Sequence, residues 1–455
     1  MEKVKAVMSW LLKSEADKPE AAQHKSFAPS GTDTDNVVSI LIADLDGPEG
    51  ASATSRITDI LVRVEGAMVK RTGRTLSIPT KAKTPVEGLL SAAETGREWL
   101  KAEQADILIW GRVEPAGKVL SLRFLPLNGA PEGRAGAIGV GDELDLPLHY
   151  STEVDDVIAA ATLCASSSTQ VGSRTTFISK LNEIALQVEP LGAIEIPGLD
   201  QVQLVAALQV IANVMFTNAR GNLESQKSAL TVYLRAIRLI PKDLFDGARQ
   251  ALLYSQYAAA LQAVGAKSNN LESYEQAVES YKSAIAVLDM AVHPHDWALS
   301  NIRLGLASYH LARRSEQPKI MNNAILALEQ SLRVFTKDSH PGRWAEVKNH
   351  IGVVMTTMGE SLSNNTLLER AVAAFDESLD IRKREQVVLL WAQTTNNLGA
   401  AAFALAKRTE DMALMQQAAY AFEGAMQVYL QIGQEKRAHI IGKNLNRTKE
   451  YLSGG

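Results

Sequence analysis

The chain has 455 residues, 46% of them hydrophobic and 22% charged, and its formal net charge at pH 7 is −4. These values are ordinary for a globular protein of two or three domains, and the basic excess of a nucleic-acid-binding protein is missing, so we expect no nucleic-acid partner. Cys164 is the only cysteine, which excludes an intramolecular disulfide and a metal site built from several cysteines.

The beginning of the chain combines a short apolar stripe with a polar stretch. Residues 1–14 are predicted to form an amphipathic helix whose stripe contains Val4, Val7, Met8, Leu11 and Leu12, with Trp10 at its edge. We expect this stripe to dock on the rest of the chain or on a partner protein, and less readily on a membrane surface. Residues 15–36 have the composition of a flexible linker. No clear signal peptide or membrane span is present, so we expect a cytoplasmic protein.

Residues 37–165 are predicted to form a small α/β domain in the order β-α-β-α-β-β. The apolar run NVVSILIADLDGP predicts a buried strand, and a helix is expected from Thr54 to Arg71. The stretch RTLSIP predicts a second strand, and Pro85 begins a helix that reaches about Gln104. The runs DILIWGRV and VLSLRFLPL, joined by EPAG, predict a hairpin. The expected domain is α+β, with helices on a mixed sheet.

The hairpin segment ADILIWGRVEPAGKVLSLRFLPLNG resembles the amino-terminal α/β domain of TolB-type proteins. The shared features are an Ala-Asp entry to a strand, a glycine, a charged turn and a second strand. The resemblance covers residues 37–165 and implies an assembly or binding module. In bacterial proteins such domains often accompany tetratricopeptide-like repeats.

The stretch after the hairpin is rich in glycine. GAPEGRAGAIGVG, from Gly129 to Gly141, predicts a mobile loop. Leucines then alternate at positions 144, 146 and 148, which predicts a last edge strand, and a helix is expected from Asp155 to Ala165.

Candidate chemical groups do not form a recognised constellation. The spacing from Gly111 to Lys118 does not match a phosphate-binding loop. The polar residues His293, His295 and Asp296 lie in a predicted turn, and Asp44 and Asp46 follow the first strand, where capping explains them. We therefore predict no catalytic residue, no metal and no cofactor, and a protein that is not an enzyme; dispersed catalytic residues in the α/β domain are a less favoured alternative.

A repeat of 47 residues dominates the second half of the chain. The frame W-A-x₆-G begins at Trp297, Trp344 and Trp391. The same spacing relates four further sets: Ala277, Ala324, Ala371 and Ala418; Val278, Ile325, Val372 and Ala419; Tyr281, Leu328, Phe375 and Phe422; Ile285, Leu332, Leu379 and Met426. Two helices and two turns fill one period, and such a hairpin must stack on its neighbours to bury its apolar face.

This frame resembles the tetratricopeptide repeat (TPR), which has Leu-Gly in its first helix, then Ala, an aromatic residue or Leu, and a small residue in its second. The usual period is 34 residues, so both helices are longer here. The resemblance implies that residues 174–455 form an all-α TPR-like solenoid of about five helical hairpins with a carboxy-terminal capping helix. We expect the tryptophans to anchor neighbouring hairpins and Gly305, Gly352 and Gly399 to permit close helix approach.

Two functions follow from this architecture. The first is a non-catalytic scaffold that binds protein partners along the concave surface of the solenoid, and the alternative is a structural protein that assembles into homo-oligomers through the α/β domain and residues 1–14. Positions three before and four after each glycine are the peptide-groove candidates that the resemblance implies: Ile302, Tyr309, Asn349, Thr356, Asn396 and Phe403. The competing hypothesis for the asparagines is that they only pair with the neighbouring helix.

Overall fold

The computed structural model describes residues 38–114, 118–129, 133–167, 169, 174–241 and 246–454. The predicted helix at 1–14 and the predicted linker at 15–36 lie outside these residues. The described chain divides at Trp297 into two compact units, which we call the first unit (38–296) and the second unit (297–454). Within these ranges, no helix combines the length and the apolar character that crossing a membrane requires.

A mixed five-stranded sheet begins the first unit. Its strands are β1 (Val38–Ile42), β2 (Ala67–Arg71), β3 (Ile107–Glu114), β4 (Val119–Pro126) and β5 (Leu144–Pro147), in the order β2-β1-β3-β4-β5. The pairs β1–β2 and β1–β3 are parallel, whereas β3–β4 and β4–β5 are antiparallel. The predicted α+β fold class is therefore confirmed, with the predicted hairpin at its centre and β5 at one edge.

Helices cover both faces of this sheet because successive strand residues point to opposite sides. On one face, Ile40 shares a core with Ile57 of α1 (Gly50–Val62). On the other face, Leu41 shares a core with Leu100 of α2 (Pro85–Glu103). The near-continuous apolar run of β1 is thus explained by burial on both sides.

Two predicted elements of this domain were wrong. The helix expected to reach Arg71 ends at Val62, and Gly66, with φ of +77°, turns the chain into strand β2. Pairing with β1 along five residues outweighs the helical spacing of the apolar side chains. RTLSIP is not a strand: Asp44 N–H donates to the Arg74 carbonyl at 2.9 Å, which holds this segment across the end of β1 as a loop.

Residues 133–141 of the glycine-rich stretch are packed rather than free. Ile138 is 1% exposed and belongs to the apolar core, and the Gly136 carbonyl accepts a hydrogen bond from Thr217 Oγ1 at 2.7 Å. Gly136 has φ of +75°, and a Cβ there would lie 2.7 Å from the same Oγ1. The glycines let the chain approach a helix closely, which a composition-based prediction of a mobile loop overlooks.

Six further helices complete the first unit: α3 (Thr152–Ser166), α4 (Thr175–Val188), α5 (Gln201–Asn218), α6 (Leu223–Arg238), α7 (Gly247–Ser268) and α8 (Leu271–Ala286). The helices pack in the pairs α5–α6 and α7–α8. One apolar cluster runs from Val38 in the sheet to Val264 in α7. The core therefore does not divide at residue 174, where the sequence placed the start of the solenoid.

A buried polar cluster joins the glycine-rich stretch to α5 and α7. Asp142, which is 4% exposed, accepts hydrogen bonds from Gly139 N–H at 2.8 Å, Gln256 Nε2 at 2.8 Å and Gln209 Nε2 at 3.2 Å. Gln256 Oε1 also accepts from Asn213 Nδ2 at 3.3 Å. Burial raises the pKa of Asp142 to about 6, although these hydrogen bonds favour the carboxylate.

Asp142→Asn is expected to remove one component of the pH dependence of stability. A carboxyl group with a raised folded-state pKa stabilises the fold below its unfolded pKa, and this contribution is lost as the pH rises through about 6. Between pH 8 and pH 5 the wild type should gain roughly 1.4 kcal/mol of unfolding free energy relative to the variant. Urea unfolding at both pH values measures this difference, and parallel pH profiles would contradict it.

The second unit consists of paired helices within its described range. They are α9 (Pro294–Arg314, which crosses the division), α10 (Pro318–Ser331), α11 (Pro341–Ser361), α12 (Asn365–Ile381), α13 (Val388–Thr409), α14 (Met412–Gln431) and α15 (Glu435–Leu452). The pairs α11–α12 and α13–α14 pack closely, and α15 packs on α14. Consecutive helices that pack pairwise form the all-α, solenoid-like region that the repeat predicts.

The turn between the two helices of a pair repeats every 47 residues. Glu316, Ser363 and Glu410 adopt left-handed φ values of 54°, 54° and 56°. The next residue is the N-cap of the second helix, and the N-cap side chains of Asn364 and Asp411 accept hydrogen bonds from the first helical turn. This is a left-handed C-cap followed directly by an N-cap, which keeps the helices antiparallel.

The mid-helix glycines permit close helix approach, as predicted. A Cβ on Gly305 would lie 2.7 Å from Leu328 Cγ, and one on Gly352 would lie 2.7 Å from the Phe375 ring. Gly399 approaches the Phe422 ring in the same way, at 3.1 Å. Each contact joins a first helix to its own second helix. Close packing explains why glycine occurs at these positions, although it weakens a helix interior by about 1 kcal/mol relative to alanine.

The tryptophans lie at the rim of the helix pairs rather than fully in the core. Trp297, Trp344 and Trp391 are half-buried. A cation lies over each ring: Arg333 at 5.6 Å from Trp297, Lys337 at 5.1 Å from Trp344 and Arg384 at 5.1 Å from Trp391. A large ring with one polar edge favours such a partly solvated position.

Candidate interaction surface

One face of the first helices is less buried than the rest. Counted from each mid-helix glycine, or from Asn446 at the equivalent position of α15, it contains the residues two before and one, five and eight after, the last of which lies beyond the end of α15. We call this set the first-helix stripe: Arg303, Leu306, His310 and Arg313 on α9; His350, Val353, Thr357 and Glu360 on α11; Asn397, Ala400, Ala404 and Lys407 on α13; Asn444, Arg447 and Tyr451 on α15. Val353 and Ala404 are buried, Lys407 is exposed and the others are half-buried.

Contacts between first helices hold the stripe together. Tyr309 OH and Thr357 Oγ1 are 3.0 Å apart and join α9 to α11. Asn397 Nδ2 donates to Asn349 Oδ1 at 3.2 Å and joins α13 to α11. The rings of Phe403 and Tyr451 meet edge to face at 5.6 Å and join α13 to α15. The stripe is thus one continuous surface across four helices of the second unit.

The six groove candidates from the sequence lie beside this stripe, mostly in the interior. Five are 2–5% exposed: Ile302, Tyr309, Asn349, Thr356 and Asn396. The hydroxyl of Thr356 donates to the Gly352 carbonyl at 2.8 Å, within its own helix. Phe403 is half-buried against Tyr451. These side chains support the packing of the first helices, and a partner cannot reach the five buried ones directly.

An offset of one residue separates these positions from the stripe. Adjacent residues of a helix lie about 100° apart around its axis. The side chain three residues before the glycine therefore points inward, whereas the side chain two residues before the glycine lies on the surface. For Asn349, the structure agrees with the competing hypothesis of pairing with the neighbouring helix. Asn396 has a buried Oδ1 without a hydrogen-bond partner among the described residues. Aligning the 47-residue repeats and comparing their charged residues would have revealed the positions of the first-helix stripe.

The α9 part of the stripe is strongly basic. From Trp297 to Arg314 this helix contains three arginines and one histidine but no Asp or Glu, and its first turn contains Asp296. No carboxylate lies within ion-pair distance of Arg303 or Arg313 in the described structure. Burial, together with the charges of Arg314, Arg313 and His350, lowers the pKa of His310 to about 3. At neutral pH, His310 is therefore uncharged in a region of positive potential.

Acidic groups lie on α11, in and beside the stripe, next to cations. Glu346 precedes His350 by one turn and lies 2.9 Å from Arg343 and 3.8 Å from His350. Although burial opposes its ionisation, the hydrogen bonds and charges of these two residues hold its pKa at about 2. Burial raises the pKa of Glu360 to about 7, against the charges of Arg447 and Lys407. The stripe is therefore basic on α9, contains the acidic Glu360 on α11, and has Lys407 as its one charged side chain on α13.

The candidates for chemistry take part in local contacts. Asp44 forms an ion pair with Arg71 at 2.9 Å, and Asp46 Oδ1 accepts from Gly47 N–H at 2.8 Å, as turn formation requires. His293 Nε2 lies 3.9 Å from Asp246 Oδ1. Within the described ranges, no three His, Cys, Asp or Glu side chains come together in a way that could hold a metal ion. Cys164 is buried against the Gly136 carbonyl.

A scan of the chain against protein-family models found no match, and a search of curated proteins found none either. The functional interpretation therefore depends on the fold, the repeat and the first-helix stripe.

Proposed function

We propose that this protein is a non-catalytic cytoplasmic scaffold of the TPR-like type, which binds a segment of a partner protein along the first-helix stripe. In repeat proteins, equivalent positions of successive helices form an extended surface on which a peptide can lie. The TolB-like domain, held to α5 and α7 through the Asp142 cluster, serves in this proposal as a second binding or assembly module.

One observation carries the proposal. The stripe is mostly polar and half-buried over four helices, whereas on α9, α11 and α13 the positions one residue earlier in each repeat are mostly buried. Half-buried charges such as Arg303 and Arg313 lose part of their hydration without gaining an ion pair. A binding partner would supply the missing contacts, and a surface with a purely structural role would be expected to exclude such charges.

Charge reversal on the stripe tests this function. The double variant Arg303→Glu/Lys407→Glu should lose the proteins that the wild-type chain retains from an extract of its source cells. Lys319→Glu/Lys443→Glu changes the net charge equally at exposed positions off the stripe and should retain them. Quantitative mass spectrometry of the retained proteins measures the difference. Equal retention by both double variants would contradict the proposal.

A further inference from the structure

The outer face of α14 carries far less charge than the equivalent faces of the two repeats before it. In the preceding repeat, α12 and the turn after it expose eight charged side chains: Glu369, Arg370, Asp376, Glu377, Asp380, Lys383, Arg384 and Glu385. The equivalents on α10 and its turn include four: Glu329, Arg333, Lys337 and Asp338. On α14 and its turn, seven of the eight positions are uncharged: Gln416, Gln417, Gly424, Gln427, Leu430, Gln431 and Ile432. Glu423 is the one charged equivalent.

The charges on α12 take part in contacts between repeats. Three ion pairs join it to earlier helices: Lys337 Nζ to Asp380 Oδ2 at 3.0 Å, Lys348 Nζ to Glu377 Oε2 at 2.6 Å and Arg370 Nη2 to Glu329 Oε1 at 3.7 Å. The equivalents of the three α12 residues are Gln427, Gly424 and Gln417, which cannot form ion pairs. On α14 the repeat therefore departs from its own pattern at positions that pair elsewhere.

Large apolar side chains are exposed on the same side of α14. Tyr420 is 66% exposed, Met412 54% and Leu430 53%. At about 100° per residue, they lie with three polar residues within an arc of about 80° around the helix. We call this set the α14 face: Met412, Gln416, Tyr420, Glu423, Gln427 and Leu430. Tyrosine and methionine in a setting of little charge are typical of the centre of a protein–protein interface.

The α14 face is not the site at which a further repeat would stack. A further second helix would pack on α15, where Asn446 takes the place of the mid-helix glycine. His439, two turns earlier, takes the place of an alanine that is 0% exposed in the other first helices: Ala298, Ala345 and Ala392. Both His439 and Asn446 are exposed. Polar side chains of this kind end a repeat array, so the apolar character of the α14 face requires another explanation.

A second copy of the chain fits this face. In a two-fold contact each patch meets the same patch of the partner, so charges near the axis would face like charges, and the α14 face lacks them. Tyr420 lies near the middle of α14 (Met412–Gln431), so two antiparallel copies would meet at this ring. The same arrangement brings Glu410 and Asp411 of one copy towards Glu435-Lys436-Arg437 of the other, a stretch with one net positive charge.

Residues 1–14 fit the face less well. Their apolar stripe is flanked by Lys3, Lys5 and Lys13, and the α14 face offers these lysines a single acid, Glu423.

We infer that the α14 face is the interface of a two-fold homodimer, with Tyr420 at its centre. This inference does not depend on the proposed function, because the face lies on a second helix and the first-helix stripe does not. Two helices about 30 Å long give a contact at the small end of specific interfaces, so the dimer should dissociate on dilution.

Sedimentation velocity of the full chain over a range of concentrations tests the inference. The average mass of the wild type should rise with concentration towards twice the monomer mass. Tyr420→Glu and Tyr420→Lys should each raise the dissociation constant of the dimer at least tenfold, because like charges then face each other. An equimolar mixture of these two variants should dimerise at least tenfold more tightly than either alone. Ala373→Glu, at the exposed equivalent position of α12, should change the constant less than threefold.

Crosslinking locates the contact on the chain. The single native cysteine, Cys164, is 1% exposed, so a short bismaleimide should join two copies of Tyr420→Cys and leave Ala373→Cys monomeric.

Two results would overturn the inference. One is a wild-type mass that does not change with concentration, or equal dissociation constants for Tyr420→Glu and Ala373→Glu. The other is a dimer that is lost when residues 1–14 are deleted but is unchanged in Tyr420→Glu, which would assign assembly to the amino-terminal segment. Recovery of the dimer in the mixture of Tyr420→Glu and Tyr420→Lys shows that each variant alone fails to dimerise because of its charge rather than through unfolding.

Discussion

A fragment that begins at residue 174 is expected to lose the fold of its first helices, whereas a fragment that begins at residue 293 is expected to keep its fold. In α5, 14 of the 18 residues are buried, and this helix packs on α3 and β5 as well as on α6. Removal of the α/β domain exposes part of this surface to water. Each Val, Leu or Ile side chain that becomes fully exposed costs about 1.5–3 kcal/mol.

The second unit has its own apolar core. Its clusters are composed of residues from Trp297 to Leu452, so a fragment from 293 retains all of them. Hydrogen exchange followed by mass spectrometry distinguishes the two cases. Amides of α5 should exchange rapidly in the fragment from 174, and amides of α11 should stay protected in both fragments. Slow exchange of α5 in the fragment from 174 would contradict this expectation and support the boundary that the sequence predicts.

Substitutions at the contact between Gly352 and Phe375 are expected to have the largest effects in the second unit. Phe375 is 1% exposed, and Phe375→Ala should lower the unfolding free energy by roughly 3–5 kcal/mol because a cavity replaces the ring. Gly352→Ala should lower it by about 1–3 kcal/mol, since its Cβ would lie 2.7 Å from the ring. This strain exceeds the roughly 1 kcal/mol that alanine gains in helix propensity.

The same helix contains the control for this prediction. Gly342 is exposed in the first turn of α11, and a Cβ there would meet nothing within 4 Å. Gly342→Ala should therefore leave stability unchanged or raise it slightly in urea unfolding. Combining Gly352→Ala with Phe375→Leu should cost less than the sum of the single changes, because a smaller side chain makes room for the methyl group. If Gly352→Ala is as stable as Gly342→Ala, the close approach of these helices is incorrect.

The repeat could be predicted from the sequence because its signals are local and periodic. Gly352 and Phe375 recur with their neighbours every 47 residues, so each copy supports the interpretation of the others. The hairpin β3–β4 was predictable for a similar reason, since two alternating runs flank a short turn.

Long-range and fine angular features could not be predicted in the same way. Strand β2 exists because Ala67–Arg71 pairs with β1, and nothing in its own spacing distinguishes it from the end of a helix. The hydrogen bond from Gln256 to Asp142 joins residues 114 apart, so no local pattern reveals it. On the first helices, a shift of one residue separates buried Asn349 from half-buried His350, which the repeat alone does not distinguish.

Site-specific photo-crosslinking tests the central claim, that partners bind on the first-helix stripe, most directly. A benzophenone side chain replaces Lys407, which is exposed on the stripe, or Leu326, which is 57% exposed on α10 away from it. We expect discrete protein adducts from position 407 in source cells and none from position 326. Adducts from position 326 alone, or the same adducts from both positions, would contradict the assignment of the stripe as the binding surface.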